Sequence, residues 1–269
     1  MLSRSLILVA VLVCSPALAA PPETTPVEAP ALATDVFWHE APTLVPVQLV
    51  FPPGFTAEAP RTLVVALHGF GDTSSRFRPV ADVLAAAGHV VALPEATYAF
   101  PAGGRIGFDW TLHHLGDPAA AAHAIRLLGK QYLPELVEAI RGRVTVDRVI
   151  LLGFSQGAAV ALLTGLHDPE TFDAVVSFGL PMFNPEWFGP DVLGAARDTR
   201  VLLVHGTHDE VAPIDATTRA RDGLAGAGLG VTLRTFDGGH TVAPAELEAA
   251  ARWIAEPTPA ASAPGDERP

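Results

Sequence analysis

Short apolar runs rich in β-branched residues alternate with Ala- and Leu-rich stretches of helical length along most of this chain. The runs fall at residues 62–67, 89–93, 147–152, 174–178, 200–204 and 231–236, and the helical stretches at 80–87, 119–141, 156–166 and 245–254. Runs without an apolar/polar alternation belong to strands covered on both faces, so the pattern predicts a mostly parallel sheet with crossover helices on both sides. Residues 36–40 and 44–50, joined by Ala41-Pro42-Thr43, read as an antiparallel pair at one edge. The expected architecture is an α/β three-layer sandwich with about eight strands. At 269 residues, 49% of them hydrophobic, the chain has enough apolar material for one large core, and disorder is excluded.

The ends read differently from the middle. Arg4, the apolar run 6–13 and Ala17-Leu18-Ala19 have the layout of a secretory signal over residues 1–20. That run is far shorter than the roughly 20 residues of a bilayer-spanning helix, so no stable membrane span is expected. Residues 21–34 and 257–269 are Pro-rich and read as a linker and a tail around a domain at 35–256. The expected location is the bacterial periplasm or the medium. Cleavage would remove the single cysteine, Cys14, together with Arg4 and no acid, moving the net charge from −12 to −13. An acidic balance of 17 Lys+Arg against 29 Asp+Glu excludes a nucleic-acid partner. Oligomeric state is not legible.

Chemistry concentrates at Gly153-Phe154-Ser155-Gln156-Gly157, which lies between a buried strand and a small-residue helix. A sharp strand-to-helix turn of this kind needs glycines where backbones meet, and it lifts the serine above the strand ends. A serine hydroxyl is a weak nucleophile until a histidine takes its proton and an acid orients that histidine. Of ten histidines, His240 is best placed, in the Gly238-Gly239-His240 turn after the last strand; Asp209, directly after the strand at 200–204, is the preferred acid. Glu210, Asp215 and Asp237 are the weaker alternatives. An oxyanion hole is expected from the backbone amides of Phe70, within His68-Gly69-Phe70-Gly71-Asp72, and of Gln156. On this reading the loop uses its backbone and His68 is structural, while the Gln156 side chain is dispensable.

Other signals fail. His205 and His208 with Asp209 lack a further placed ligand for a metal site. The Gly226-Ala227-Gly228-Leu229-Gly230 run precedes a strand instead of following one, and no phosphate-binding loop exists. No cofactor or metal is implied. Phe183 and Trp187, spaced among prolines, read equally as loop packing or as a hydrophobic wall for an acyl group.

Taken in order, Leu67-His68-Gly69-Phe70-Gly71-Asp72, Gly153-Phe154-Ser155-Gln156-Gly157, the stretch from His205 through Asp209 to Pro213, and Gly238-Gly239-His240 make the chain resemble the phospholipase/carboxylesterase branch of the α/β-hydrolase superfamily, the group that includes acyl-protein thioesterases. The resemblance implies an α/β-hydrolase sandwich and a Ser155–Asp209–His240 triad. It also implies cofactor-free hydrolysis of small-molecule carboxylic esters, thioesters or lysophospholipids. By the same resemblance Phe108 and Trp110 stand where the family builds an acyl-contacting loop, although Pro101-Ala102-Gly103-Gly104-Arg105 does not match its pattern. A serine peptidase of the same fold, or a non-catalytic secreted binding protein on this scaffold, is the competing reading.

Overall fold

The computed structural model describes residues 43–257. The apolar runs form a seven-stranded sheet. In chain order its strands are β1 (Val47–Val50), β2 (Arg61–Leu67), β3 (Val90–Pro94), β6 (Val146–Phe154), β7 (Ala174–Phe178), β8 (Arg200–Gly206) and β9 (Val231–Phe236). A separate hairpin consists of β4 (Tyr98–Ala102) and β5 (Arg105–Asp109). The spatial order in the main sheet is β1-β3-β2-β6-β7-β8-β9, parallel except for β1, which pairs antiparallel with β3 at the edge.

Successive residues of one strand feed two cores, which is why the runs do not alternate. Leu63, Val65 and Leu67 pack on the face covered by α3 (Leu133–Arg141), α4 (Gln156–His167) and α6 (Asp215–Gly226). Val64 and Ala66 pack on the opposite face, beneath α1 (Ser74–Ala86) and α7 (Pro244–Ala255). Two further helices, α2 (Pro118–Leu127) and α5 (Pro190–Ala195), complete the set. Among the described residues no helix is long and apolar enough to cross a membrane.

The strand order reverses between β2 and β6, since the chain first builds outward to β3 and later to β7, β8 and β9. In an open parallel sheet that switch point opens a crevice at the carboxyl ends of the strands. The loops after β2 and β6, which hold Gly69 and Ser155, therefore meet there.

One expectation needs correction and two lie partly beyond view. Seven of the eight expected strands fall among the described residues and form the sheet, and the hairpin β4–β5 at 98–109 is an addition to them. The edge strand hydrogen-bonds β3, and its expected partner at 36–40 lies outside the described residues, as do the segments 1–20, 21–34 and 258–269. The stretch 119–141 is not one helix: a π turn at Leu128–Tyr132 separates α2 from α3. Gly129 packs against Thr164 of α4 there, and Pro134 has no N–H to continue the helical ladder.

Candidate active site

Ser155 occupies the turn between β6 and α4 with φ +53° and ψ −119°, one of two non-glycine residues with positive φ among the described residues. Such a conformation persists only where the surroundings over-determine it. Here they do: the Ser155 amide donates to the Phe178 carbonyl at 2.9 Å, and its carbonyl accepts from the amides of Ala158 and Ala159. A Cβ on Gly153 would overlap the Gly157 carbonyl, and one on Gly157 would overlap the carbonyls of Leu67 and His68. The helix thus presses directly on the end of β2. Ser155 Oγ makes no hydrogen bond to a described residue, and it borders the same cleft as His240.

The loops after β8 and β9 are stitched together by backbone. Thr207 N–H donates to the Phe236 carbonyl and His208 N–H to that of Gly238, each at 2.9 Å. Any side chain at Gly206 would collide with the carbonyls of Gly238 and Gly239. This register brings His240 Nδ1–H to Asp209 Oδ2 at 2.6 Å. The other carboxylate oxygen accepts from the amides of Val211 and Ala212 at 2.9 and 2.8 Å. Burial pushes the Asp209 carboxyl upward, but the Ala212 amide, the His240 ring and the Val211 amide outweigh it and hold the group below its ordinary value. The imidazole is seated between the Phe154 ring, 4.7 Å away, and the bare backbone of Gly179.

His205 and His208 part company. His205 is fully buried, with Nε2 donating to the Ala212 carbonyl and Nδ1 bonded to Thr217 Oγ1, both at 2.7 Å, whereas His208 is exposed beside Asp237. Among the described residues no group of three or more His, Cys, Asp or Glu is arranged to hold a metal ion.

On the other side of Ser155, the His68–Asp72 loop closes over the crevice. His68 is buried, with Nδ1 donating to the Gly69 carbonyl and Nε2 2.9 Å from Glu95 Oε1. The amides of Phe70 and Gln156 donate to no described residue. The loop is held in turn by the hairpin: Gly71 N–H donates to the Phe108 carbonyl at 2.8 Å and Phe108 N–H to that of Asp72 at 3.2 Å.

The Gln156 side chain is fully engaged. Its Nε2 donates to Asp109 Oδ1 at 2.7 Å and Thr111 Oγ1 at 2.9 Å, and its Oε1 accepts from the Trp110 amide at 3.1 Å. Asp109 is fully buried and accepts also from the amides of Thr111 and His114 and from the His114 ring, each at 2.8 Å. Burial pushes this carboxyl up, but the His114 and Thr111 amides, the His114 ring and Gln156 together hold it below its ordinary value. The chain of contacts continues outward, with the His114 ring stacked on Phe100 and Phe100 stacked on Phe70, both at 4.8 Å. The residue after Ser155 is thus tied through one buried carboxylate to the aromatic face of the opposite loop.

None of the four aromatics expected to contact substrate borders the cleft. Trp110 is fully buried behind the His68–Asp72 loop, where its indole N–H donates to the His68 carbonyl at 2.9 Å, and Phe108 packs against the core. Phe183 stacks on Phe188 within the core, and Trp187 lies outside the lining. The cleft, about 500 Å³, takes its apolar wall from Phe70, Phe154 and Val211 and its charged mouth from Asp72, Arg76 and Arg105. Phe70 lies between Gly69 and Gly71 and Phe154 between Gly153 and Ser155, so both stood inside the motifs themselves.

Comparison with known proteins matches residues 55–257 to the phospholipase/carboxylesterase family. Acyl-protein thioesterase 1 of Gibberella zeae is 25% identical over 230 residues, 78% of this chain and 95% of that protein. A probable carboxylesterase of Oryza sativa subsp. japonica is 27% identical over 225 residues, 76% of this chain and 80% of its own length. The crystal structure of esterase PE8 superposes with a TM-score of 0.63 at 26% identity, covering 79% of this chain and 98% of that one. With the family match spanning most of the chain and the fold shared with a solved esterase, the chain belongs to the phospholipase/carboxylesterase family of α/β hydrolases and is a carboxylesterase-type enzyme.

Proposed function

We propose that this protein hydrolyses carboxylic esters of short to medium acyl chains, with thioesters or lysophospholipids as related substrates, through Ser155, His240 and Asp209. The observation that carries this reading is the Asp209-held imidazole of His240 sharing one cleft with a serine on a strained strand-to-helix turn.

Ser155 Oγ attacks the acyl carbonyl carbon while His240 Nε2 takes its proton. Asp209 keeps the proton on Nδ1 and stabilises the imidazolium that forms. The negative charge arising on the carbonyl oxygen is met by the Phe70 and Gln156 amides, at the positive end of α4. His240 then gives its proton to the leaving alcohol or thiol, which departs as the acyl-enzyme forms. Water repeats the cycle in reverse and frees the acid. The Gln156–Asp109 contact keeps one amide donor in register with the other, and the names of the thioesterase and carboxylesterase relatives support the substrate class.

A p-nitrophenyl ester chain-length series run beside aminoacyl-arylamides tests the assignment. Turnover of the esters with negligible arylamide cleavage is expected; the reverse would make the protein a peptidase, and neither activity would leave a binding protein.

A further inference from the structure

The cleft carries a charged group that ester hydrolysis does not use. Arg105 opens β5 at the mouth of the pocket that contains Ser155 and His240. Its position is set by backbone. Gly103 and Gly104 have φ of +58° and +82°, the two positive values that a tight hairpin turn requires, and they seat Arg105 opposite Ala102. Two residues on, Gly107 lies so close to the Gly71 backbone that a Cβ would come within 2.8 Å of its Cα. The arginine is therefore carried on a hairpin clamped to the same loop that holds Phe70.

The second cation at the mouth, Arg76, is already engaged: its Nε donates to Asp72 Oδ1 at 2.7 Å. Arg105 has no ion-pair or hydrogen-bond partner among the described residues. In a chain with a formal charge of −12, the mouth of this cleft holds two arginines against one aspartate. A guanidinium offers a planar fork of donors that matches a carboxylate or a phosphate. Its field favours such a group on a substrate whose carbonyl lies at Ser155.

Resting on the serine-hydrolase reading above, we propose that Arg105 is a specificity residue. It selects esters whose acyl or alcohol part bears a carboxylate or phosphate, over neutral esters of the same size. The apolar wall of Phe70, Phe154 and Val211 then contacts the connecting carbons.

Two matched pairs test this: mono-p-nitrophenyl glutarate against p-nitrophenyl pentanoate for the acyl side, and 4-acetoxybenzoate against phenyl acetate for the alcohol side. In at least one pair the anionic-to-neutral ratio of kcat/KM should fall about tenfold in Arg105→Ala and further in Arg105→Glu, while Arg105→Lys retains most of it. Added salt should lower the wild-type ratio in that pair. Ratios equal in wild type and Arg105→Ala for both pairs would overturn the proposal. Running Ser155→Ala on all four esters keeps that failure separate, because only retained turnover in that variant strikes at the hydrolase reading.

Discussion

At the scale of single residues, Gln156 has two jobs and only one was visible in the motif. Its place after Ser155 announces a backbone amide at a helix start, whereas its side-chain partners Asp109, Trp110 and Thr111 lie more than forty residues away in sequence. Gln156→Ala leaves Asp109 short of a donor and releases the hairpin. A stability loss of about 1–3 kcal/mol is expected, together with a fall in kcat of about ten- to a hundredfold and a smaller change in KM. Denaturant titration and ester kinetics check both, and rates within about twofold of wild type would return the side chain to the dispensable role first assigned to it. Asp109 adds a pH signature. Its carboxyl is held below the ordinary value in the folded state, so its stabilisation is complete above the unfolded value near about 4 and is lost as pH falls through the folded one. The stability gap between wild type and Asp109→Asn should therefore be constant across neutral pH and narrow only in acid. A gap that narrows near neutrality would point to another group.

At the scale of elements, the turns that form the site were readable because glycine spacing has a steric cause, and the hairpin was not. Gly153 and Gly157 bracket Ser155 because backbone lies where their side chains would go. The Gly103-Gly104 pair is an equally mechanical signal, but it stands between strands that are only partly buried and whose sequences carry no clear apolar alternation. Phe108 and Trp110, which the resemblance assigned to substrate, tie the hairpin and the residue after it to the His68–Asp72 loop. Gly179 shows how an element end supports the base. Its φ is +59°, and a Cβ there would come within 3.1 Å of the His240 ring. Gly179→Ala should lower kcat about tenfold or more by displacing the imidazole, with a milder effect on KM. Unaltered kcat in a folded variant would mean that Asp209 and Phe154 hold His240 without the Gly179 backbone.

At the scale of the whole molecule, strand order is what places the chemistry. The alternation of apolar runs established the sandwich and its parallel strands, but adjacency across the sheet is set by long-range pairing, so the switch point between β2 and β6 appears only in the folded chain. There the three loops carrying Gly69, Ser155 and His240 converge, although 171 positions separate the first from the last. The expectation of an export signal belongs to the same scale. If residues 1–20 direct secretion, protein recovered outside the cytoplasm should begin at residue 20 or 21 and lack Cys14, as intact-mass measurement would show; a chain starting at Met1 would contradict it.

The catalytic assignment rests most heavily on one hydroxyl. Steady-state hydrolysis of a short p-nitrophenyl ester by Ser155→Ala, in a variant whose circular dichroism and melting match wild type, measures its contribution directly. A fall in kcat of about 10⁴–10⁶ is expected, because the oxyanion donors and the cleft remain while the nucleophile is gone. Turnover near the wild-type rate in that folded variant would contradict a serine mechanism at this site.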